Sequence, residues 1–227
     1  MPSPLDRPVW NALAGRQAGF AIGAGGARRF APDVGPLAGA RDDDDGSLAA
    51  LAALLPDEGT LLLLQVDPIV VPPGAIAVTT AAGVQMVSER PVPAPPDTRI
   101  EPLSDEDHPA MLALATLTRP GPFGPRTPAL GQFWGVKDDG VLVAMAGERM
   151  RNDGFAEVSG VCTHPSARGR GLARALSAFV AQRIRDRGEV PYLHAYAQNT
   201  AAIGLYQSLG FRLRAPVHVA GIARQRG

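Results

Sequence analysis

The clearest pattern of apolar and polar positions lies in the second half of the chain, which alternates helical and strand-like segments. Residues 105–117 predict a helix capped by Ser104 or Asp105, and residues 133–163 predict three strands joined by two tight turns. A long amphipathic helix is predicted at 172–187, followed by a strand at 192–197, a short helix at 201–209 and a last strand from Phe211. This order, α-β-β-β-α-β-α-β, predicts an α/β (α+β) fold with a mixed, twisted sheet flanked by helices.

The first half of the chain is patterned less regularly. Four prolines within residues 91–97 predict a semi-rigid linker. We therefore divide the chain into a smaller α/β N-terminal domain at 1–96 and a second domain at 97–227. The elements predicted before the linker are helices at 9–13 and 48–55, the latter capped by Ser47, and strands at 60–66, 76–80 and 85–88.

Composition excludes several classes of protein. The chain has 227 residues, of which 45% are hydrophobic and 19% charged, so it can bury a sizeable core. Its one cysteine, Cys162, excludes an internal disulfide and a cysteine-based zinc cluster, and no metal is predicted. It lacks an apolar run long enough to span a membrane, and its first residues do not form a signal-peptide pattern. We therefore expect a cytoplasmic protein without a membrane partner.

Charge is distributed unevenly along a chain whose formal net charge is zero. Residues 1–97 carry 6 basic and 11 acidic side chains, whereas residues 98–227 carry 16 and 11. Six arginines lie between Arg168 and Arg187. A local basic cluster on a neutral protein favours a small phosphate-bearing ligand over a nucleic acid.

The junction at residues 161–173 carries the strongest chemical signal. A predicted strand ends there, and a loop with Gly169 and Gly171 leads into the long helix. Backbone N–H groups and the helix macrodipole make such a helix start an anion site, and glycines let a ligand approach the main chain. Arg168, Arg170 and Arg174 add positive charge. The junction therefore predicts a site for a pyrophosphate or a similar anion.

Two motifs in this region resemble the GNAT superfamily of acyl-CoA-dependent N-acyltransferases (Gcn5-related N-acetyltransferases). The first is Arg168-Gly169-Arg170-Gly171-Leu172-Ala173, which follows the family's Gln/Arg-x-x-Gly-x-Gly/Ala loop. The second is the block from Asn199 to Phe211, which follows Asn-x-x-Ala-x-x-x-Tyr-x-x-x-Gly-Phe. The resemblance covers about residues 98–227 and implies the GNAT fold there. It leaves the N-terminal domain unassigned, as a degenerate half-copy of this fold or as a dimerisation or lid domain.

The resemblance implies acetyl-CoA as co-substrate and assigns residues to it. Asn199 would contact the cofactor, although capping the N-terminus of the short helix explains an asparagine at this position equally well. Main-chain groups at one sheet edge would pair with the pantetheine arm, and backbone amides of the loop would hold the pyrophosphate. The groups at the sheet edge are those of Val161, Cys162 and Thr163. The loop amides are those of Arg168, Gly169, Arg170, Gly171, Leu172 and Ala173.

The resemblance also implies direct attack of a primary amine on the thioester through a tetrahedral intermediate. Tyr206 would protonate the departing thiolate, its alternative role being packing in the short helix. Glu157 is the first candidate for the general base and Glu148 the second, though either could be an exposed or ion-paired carboxylate. In a regular strand Cys162 points away from Glu157, and we expect a buried thiol rather than a nucleophile.

The acceptor is expected to be a small-molecule or peptide amine rather than a nucleic acid. Arg119 and Arg126 lie in the loop 118–132, which would line the acceptor side, and they suggest a carboxylated or phosphorylated amine. His194 either faces the acceptor cleft or is a hydrogen-bonded core histidine. A non-catalytic acyl-CoA sensor and a nucleotide-binding module remain alternative functions, and a homodimer stays open.

Overall fold

The computed structural model describes residues 3–88, 90 and 99–225, and their strands form one mixed sheet. The strands are β1 (Ala21–Ile22), β2 (Ala27–Phe30), β3 (Leu37–Ala40), β4 (Leu61–Gln65), β5 (Ala75–Val87), β6 (Glu101–Pro102), β7 (Phe133–Asp138), β8 (Val141–Asn152), β9 (Phe155–Thr163), β10 (Val190–Tyr196) and β11 (Arg212–Arg224). The order across the sheet is β1-β2-β3-β4-β11-β5-β10-β9-β8-β7-β6. This confirms the predicted fold class of a mixed sheet flanked by helices.

Helices cover both faces of the sheet. On one face, Leu176 and Val180 of the long fourth helix pack in a buried cluster with Val158 of β9. On the other face, the first and third helices pack over β7 to β10, where Tyr192 lies among side chains of the first helix. Among the described residues no helix is long and apolar enough to cross a lipid bilayer. The helices are α1 (Pro8–Ala14), α2 (Asp45–Ala53), α3 (His108–Thr118), α4 (Leu172–Asp186) and α5 (Thr200–Ser208).

Most elements of the second half appear in the predicted order, from α3 to β11. Two helix starts differ from the prediction. Residues 105–107 form a 3₁₀ turn before α3 begins. The side chain of Asp44, which accepts a hydrogen bond from the Ser47 amide at 2.6 Å, caps α2, so the prediction that Ser47 is its cap is wrong.

A strand from the first half of the chain lies near the middle of the sheet. The predicted strands 76–80 and 85–88 are joined in one long strand, β5, which pairs antiparallel with both β10 and β11. Residues 91–97, the predicted linker, lie outside the described residues. The division of the chain at 96/97 therefore stays a prediction, while the sheet runs through strands from both sides of it.

The sheet splits between β9 and β10, and this split positions the site. The two strands pair in parallel only where residues 190–192 meet residues 155–157, after which β10 continues along β5. A bulge in β9 places Gly160 and Val161 opposite Ala146, and Gly160 has a φ of 63°. Beyond Glu157, one edge of β9 is therefore left without a neighbouring strand among the described residues.

The same bulge corrects the predicted orientation of Cys162. Val158 and Val161 both pack toward α4, whereas Cys162 packs with Met111 of α3 on the opposite face. Because the bulge shifts the alternation of side chains, Cys162 lies on the face of the sheet that Glu157 occupies. The prediction that these two side chains point apart holds only for a regular strand.

Candidate functional site

A cavity of about 860 Å³ passes through the split between β9 and β10. One end, which we call the loop end, lies against the β9–α4 loop and the first turn of α4. The other, the inner end, is lined by Arg149, Glu157 and His194 and by aliphatic side chains of β3, β4 and β11. Tyr206 of α5 lines the wall as well. The cavity therefore joins the predicted anion site to a polar cluster inside the sheet.

The loop end presents backbone donors without competition from side chains. Gly171 is the N-cap of α4, with a φ of 76°, and its helix has no side-chain cap and no acid in its first turn. Among the described residues, the backbone N–H groups of residues 169–174 donate no hydrogen bond. The first amide at this end of α4 that donates one is that of Ala175, which bonds the Gly171 carbonyl. An added Cβ at Gly169 or Gly171 would meet nothing within 4 Å. These features suit the binding of a phosphate group.

Most of the predicted cofactor residues line the cavity together. The exception is Arg170, whose guanidinium forms an ion pair with Asp138 and which is not among the lining residues. Asn199 caps α5 by accepting a hydrogen bond from the Ala202 amide at 3.2 Å, which confirms its capping role. The predicted residues that line the cavity are Val161, Cys162, Thr163, Arg168, Gly169, Gly171, Leu172, Ala173 and Asn199.

Burial raises the pKa of two side chains in the cavity wall. Burial raises the pKa of the Tyr206 hydroxyl to about 12, and its ring contacts Phe211 edge to face at 6.0 Å. Burial likewise raises the pKa of the Cys162 thiol to about 11. Tyr206 is therefore protonated at neutral pH, while Cys162 is a poor nucleophile, in agreement with the expected buried thiol.

Glu157 lies at the inner end, with both carboxylate oxygens occupied. Arg149 donates to them from Nε and Nη2 at 2.9 and 2.8 Å, and His194 Nδ1 lies 2.8 Å from Oε1. Burial alone would raise the pKa of Glu157, but the Arg149 charge and these hydrogen bonds outweigh it and lower the pKa to about 2. Such a carboxylate stays ionised and accepts a proton poorly.

The hydrogen bonds around His194 assign its tautomer. Gln85 Oε1 accepts from Arg214 at 2.7 Å and Gln85 Nε2 donates to the Leu5 carbonyl at 2.8 Å, which orients the amide. The same Nε2 lies 3.0 Å from His194 Nε2, which must then accept, leaving the His194 Nδ1–H to donate to Glu157. Of the two alternatives for His194, the hydrogen-bonded histidine is therefore the one observed. Its side chain also lines the cavity.

Glu148 lies away from this cluster. Its side chain is 2% exposed, is bonded to Arg187 at 2.6 Å and is not among the cavity-lining residues. A bulge in β8 instead places Arg149 and Met150 opposite Glu157. The structure thus brings Glu157 and Tyr206 into one cavity without Glu148, and it adds Arg149, which the sequence analysis did not identify.

Comparison with known proteins finds a matching family model and similar structures. A family model described as FR47-like protein matches residues 134–219. The crystal structure of a protein from Novosphingobium aromaticivorans, described as an acetyltransferase from the GNAT family, has a sequence 46% identical to this chain. The match covers 99% of this chain and 100% of that one, with a TM-score of 0.93. The chain belongs to the GNAT family. A GNAT structure from Kribbella flavida, 21% identical with a TM-score of 0.62, shares the fold.

Two curated relatives are named mycothiol acetyltransferases. The protein from Thermomonospora curvata is 39% identical over 75 residues, which are 32% of this chain and 25% of the relative. The protein from Nocardiopsis dassonvillei is 34% identical over 93 residues, which are 37% of this chain and 28% of the relative. The matched region thus spans about a quarter of the length of these curated relatives.

Proposed function

We propose that this GNAT protein transfers an acetyl group from acetyl-CoA to the nitrogen of a primary amine. The observation that carries the proposal is the continuous cavity, which leads from free backbone amides at the α4 start, past Tyr206, to a polar cluster inside the sheet. Membership of the GNAT family, together with relatives named acetyltransferases, supports the same activity.

The loop end suits the phosphates of the co-substrate. Amides of residues 169–174 would hold the pyrophosphate, and Arg168 and Arg174 add positive charge at the same end of the cavity. The free edge of β9 at Val161–Thr163 would pair with the pantetheine amides. Thr163 Oγ1, which is buried without a hydrogen-bond partner among the described residues, offers one more polar contact there.

The thioester supplies an activated acetyl carbonyl, and the chain supplies positioning and a proton. The amine nitrogen attacks the carbonyl carbon, a tetrahedral intermediate forms and the C–S bond breaks. The Tyr206 hydroxyl gives its proton to the leaving sulfur, the nitrogen releases one proton to solvent, and the Tyr206 oxygen regains a proton from solvent, so the step balances. We assign Glu157 to positioning Arg149 and His194 rather than to proton abstraction, because its lowered pKa and occupied oxygens make it a weak base.

A thermal-shift titration tests binding first. Acetyl-CoA at a hundred times its Kd should raise the unfolding free energy by about 2.7 kcal/mol and shift the Tm by several degrees. NAD and ATP serve as controls for a generic phosphate site. Equal shifts with ATP or NAD, or no shift with acetyl-CoA, would contradict the proposal, whereas saturable binding without turnover of any amine would indicate a non-catalytic acyl-CoA sensor.

A further inference from the structure

At the inner end of the cavity, the guanidinium group of Arg149 has one nitrogen that donates no hydrogen bond to a described residue. Arg149 is bonded to Glu157 through Nε and Nη2, and no described residue accepts a hydrogen bond from Nη1. The side chain lines the cavity and is 11% exposed, and Nη1 is not among the fully buried atoms without partners. This donor therefore remains available to a molecule in the cavity.

The charges that line the cavity favour an anion beside this donor. Glu157 is the one acidic side chain among the described lining residues, and Arg149 already pairs with it. Arg168 and Arg174 lie at the loop end, where the phosphates of the co-substrate would neutralise them. Arg119 is exposed at the rim, so the acceptor side keeps a surplus positive charge before an acceptor binds.

The two arginines that the sequence suggested for the acceptor side are not equivalent. Arg126 forms an ion pair with Asp33 at 3.1 Å and is not among the lining residues, whereas Arg119 lines the cavity. Part of the inner wall is aliphatic. It is formed by Leu37, Leu62, Leu64, Val217 and Val219.

We propose that Arg149 Nη1 binds a carboxylate of the acceptor, so that the acceptor is an amino-carboxylic acid whose apolar body packs on this aliphatic wall. The inference rests on the proposed acetyl transfer and deepens it by naming the acceptor class. A guanidinium can hold two carboxylates on different edges, and a hydrogen bond to a charged group contributes about 1.5–3 kcal/mol. The carboxylate is expected to raise kcat/KM roughly 10- to 100-fold over an uncharged analogue.

The test compares leucine with leucinamide as acceptors, in the wild type and in Arg149→Lys. Lysine keeps the charge facing Glu157 but lacks a second nitrogen for the cavity. The wild type is expected to prefer leucine roughly 10-fold or more, and the variant to lose that preference while its KM for acetyl-CoA stays unchanged. Arg126→Gln is the control, and it should behave as the wild type. The proposal would be overturned if Arg149→Lys preferred leucine over leucinamide as strongly as the wild type does. It would also be overturned if, of the variants measured, only Arg119→Gln lost that preference.

A second measurement does not depend on turnover or on the stability of the variant. The deaminated analogue 4-methylpentanoate should inhibit the wild type competitively against the amine but not against acetyl-CoA, and should raise the Tm of the wild-type complex with acetyl-CoA. Turnover of both amines at equal rates, without competition by the carboxylate, would reject the role of Arg149 and leave acetyl transfer intact. Absence of turnover with every amine would reject acetyl transfer, and the shift in Tm alone would then decide whether the carboxylate binds.

Discussion

Gln85 of β5 donates a hydrogen bond to Nε2 of His194 on β10 at 3.0 Å, although 109 residues separate them in the chain. The other ring nitrogen of His194 bonds Glu157 in the cavity. Arg214 of β11, which bonds Gln85, is itself ion-paired with Asp6 near the chain start at 2.6 Å. The first half of the chain thus helps to build the inner end of the site.

Removal of residues 1–96 is therefore expected to prevent folding of the remainder. Without β5, the strands β10 and β11 would each lose a partner, and the backbone groups of a central position in the sheet would be left unpaired. Circular dichroism and hydrogen exchange of the fragment 97–227 should show an unfolded or aggregating chain. A cooperatively folded fragment that binds acetyl-CoA would instead support two independent domains.

Tyr206→Phe is expected to lower kcat roughly 100-fold or more, because the leaving thiolate then lacks its proton donor. The affinity for acetyl-CoA should stay within about twofold of the wild type, since no hydrogen bond of this hydroxyl to another described residue is lost. Steady-state kinetics and calorimetric titration check the two quantities separately. An unchanged kcat would remove Tyr206 from the reaction.

Gly171→Ala is expected to weaken acetyl-CoA binding, and Gly188→Ala is its matched control. Their φ values are 76° and 77°, and an added Cβ meets nothing within 4 Å at either position. Each substitution should therefore cost about 1–2 kcal/mol of unfolding free energy through backbone strain. Only Gly171 borders the cavity, so only its variant should raise the Kd for acetyl-CoA. Equal Kd values in the two variants would reject the amide site.

Glu157 is expected to make stability depend on acid pH. Its pKa is lowered from 4.5 to about 2 in the folded chain, so its contribution is complete above about pH 4.5 and is lost as the pH falls toward 2. Urea unfolding of the wild type and of Glu157→Gln should show the wild type as the more stable at neutral pH, with a difference that shrinks over this range. A difference independent of pH would mean that the carboxylate is not held ionised by its partners.

The elements and motifs that the sequence predicts correctly depend on local signals. A few adjacent residues determine each of three such features: the glycine loop before α4, the Asn199 cap and the hairpins of β7 to β9. The same local signals include Arg149, because the second of the two turns predicted within residues 133–163 brings it close to Glu157 across a hairpin. The bulge that completes this pairing leaves no clear mark in the sequence.

The remaining features depend on pairing between distant segments. The place of β5 between β10 and β11 follows from long-range strand pairing, which the local hydrophobic pattern does not specify. Arg170 carries the same charge as its neighbours in the loop, and only the folded chain places Asp138 beside it. Strands β1 to β3 are two to four residues long, too short for a periodic signal.

Amine-dependent release of the CoA thiol from acetyl-CoA is the decisive measurement of acetyl transfer by this chain. With leucine and related amines in turn, we predict thiol release that requires the amine, saturates with both substrates and yields an equal amount of N-acetylated product by mass spectrometry. Thiol release at the same rate without an amine, or acetyl-CoA binding with no release for any amine, would contradict acetyl transfer as the function of this chain.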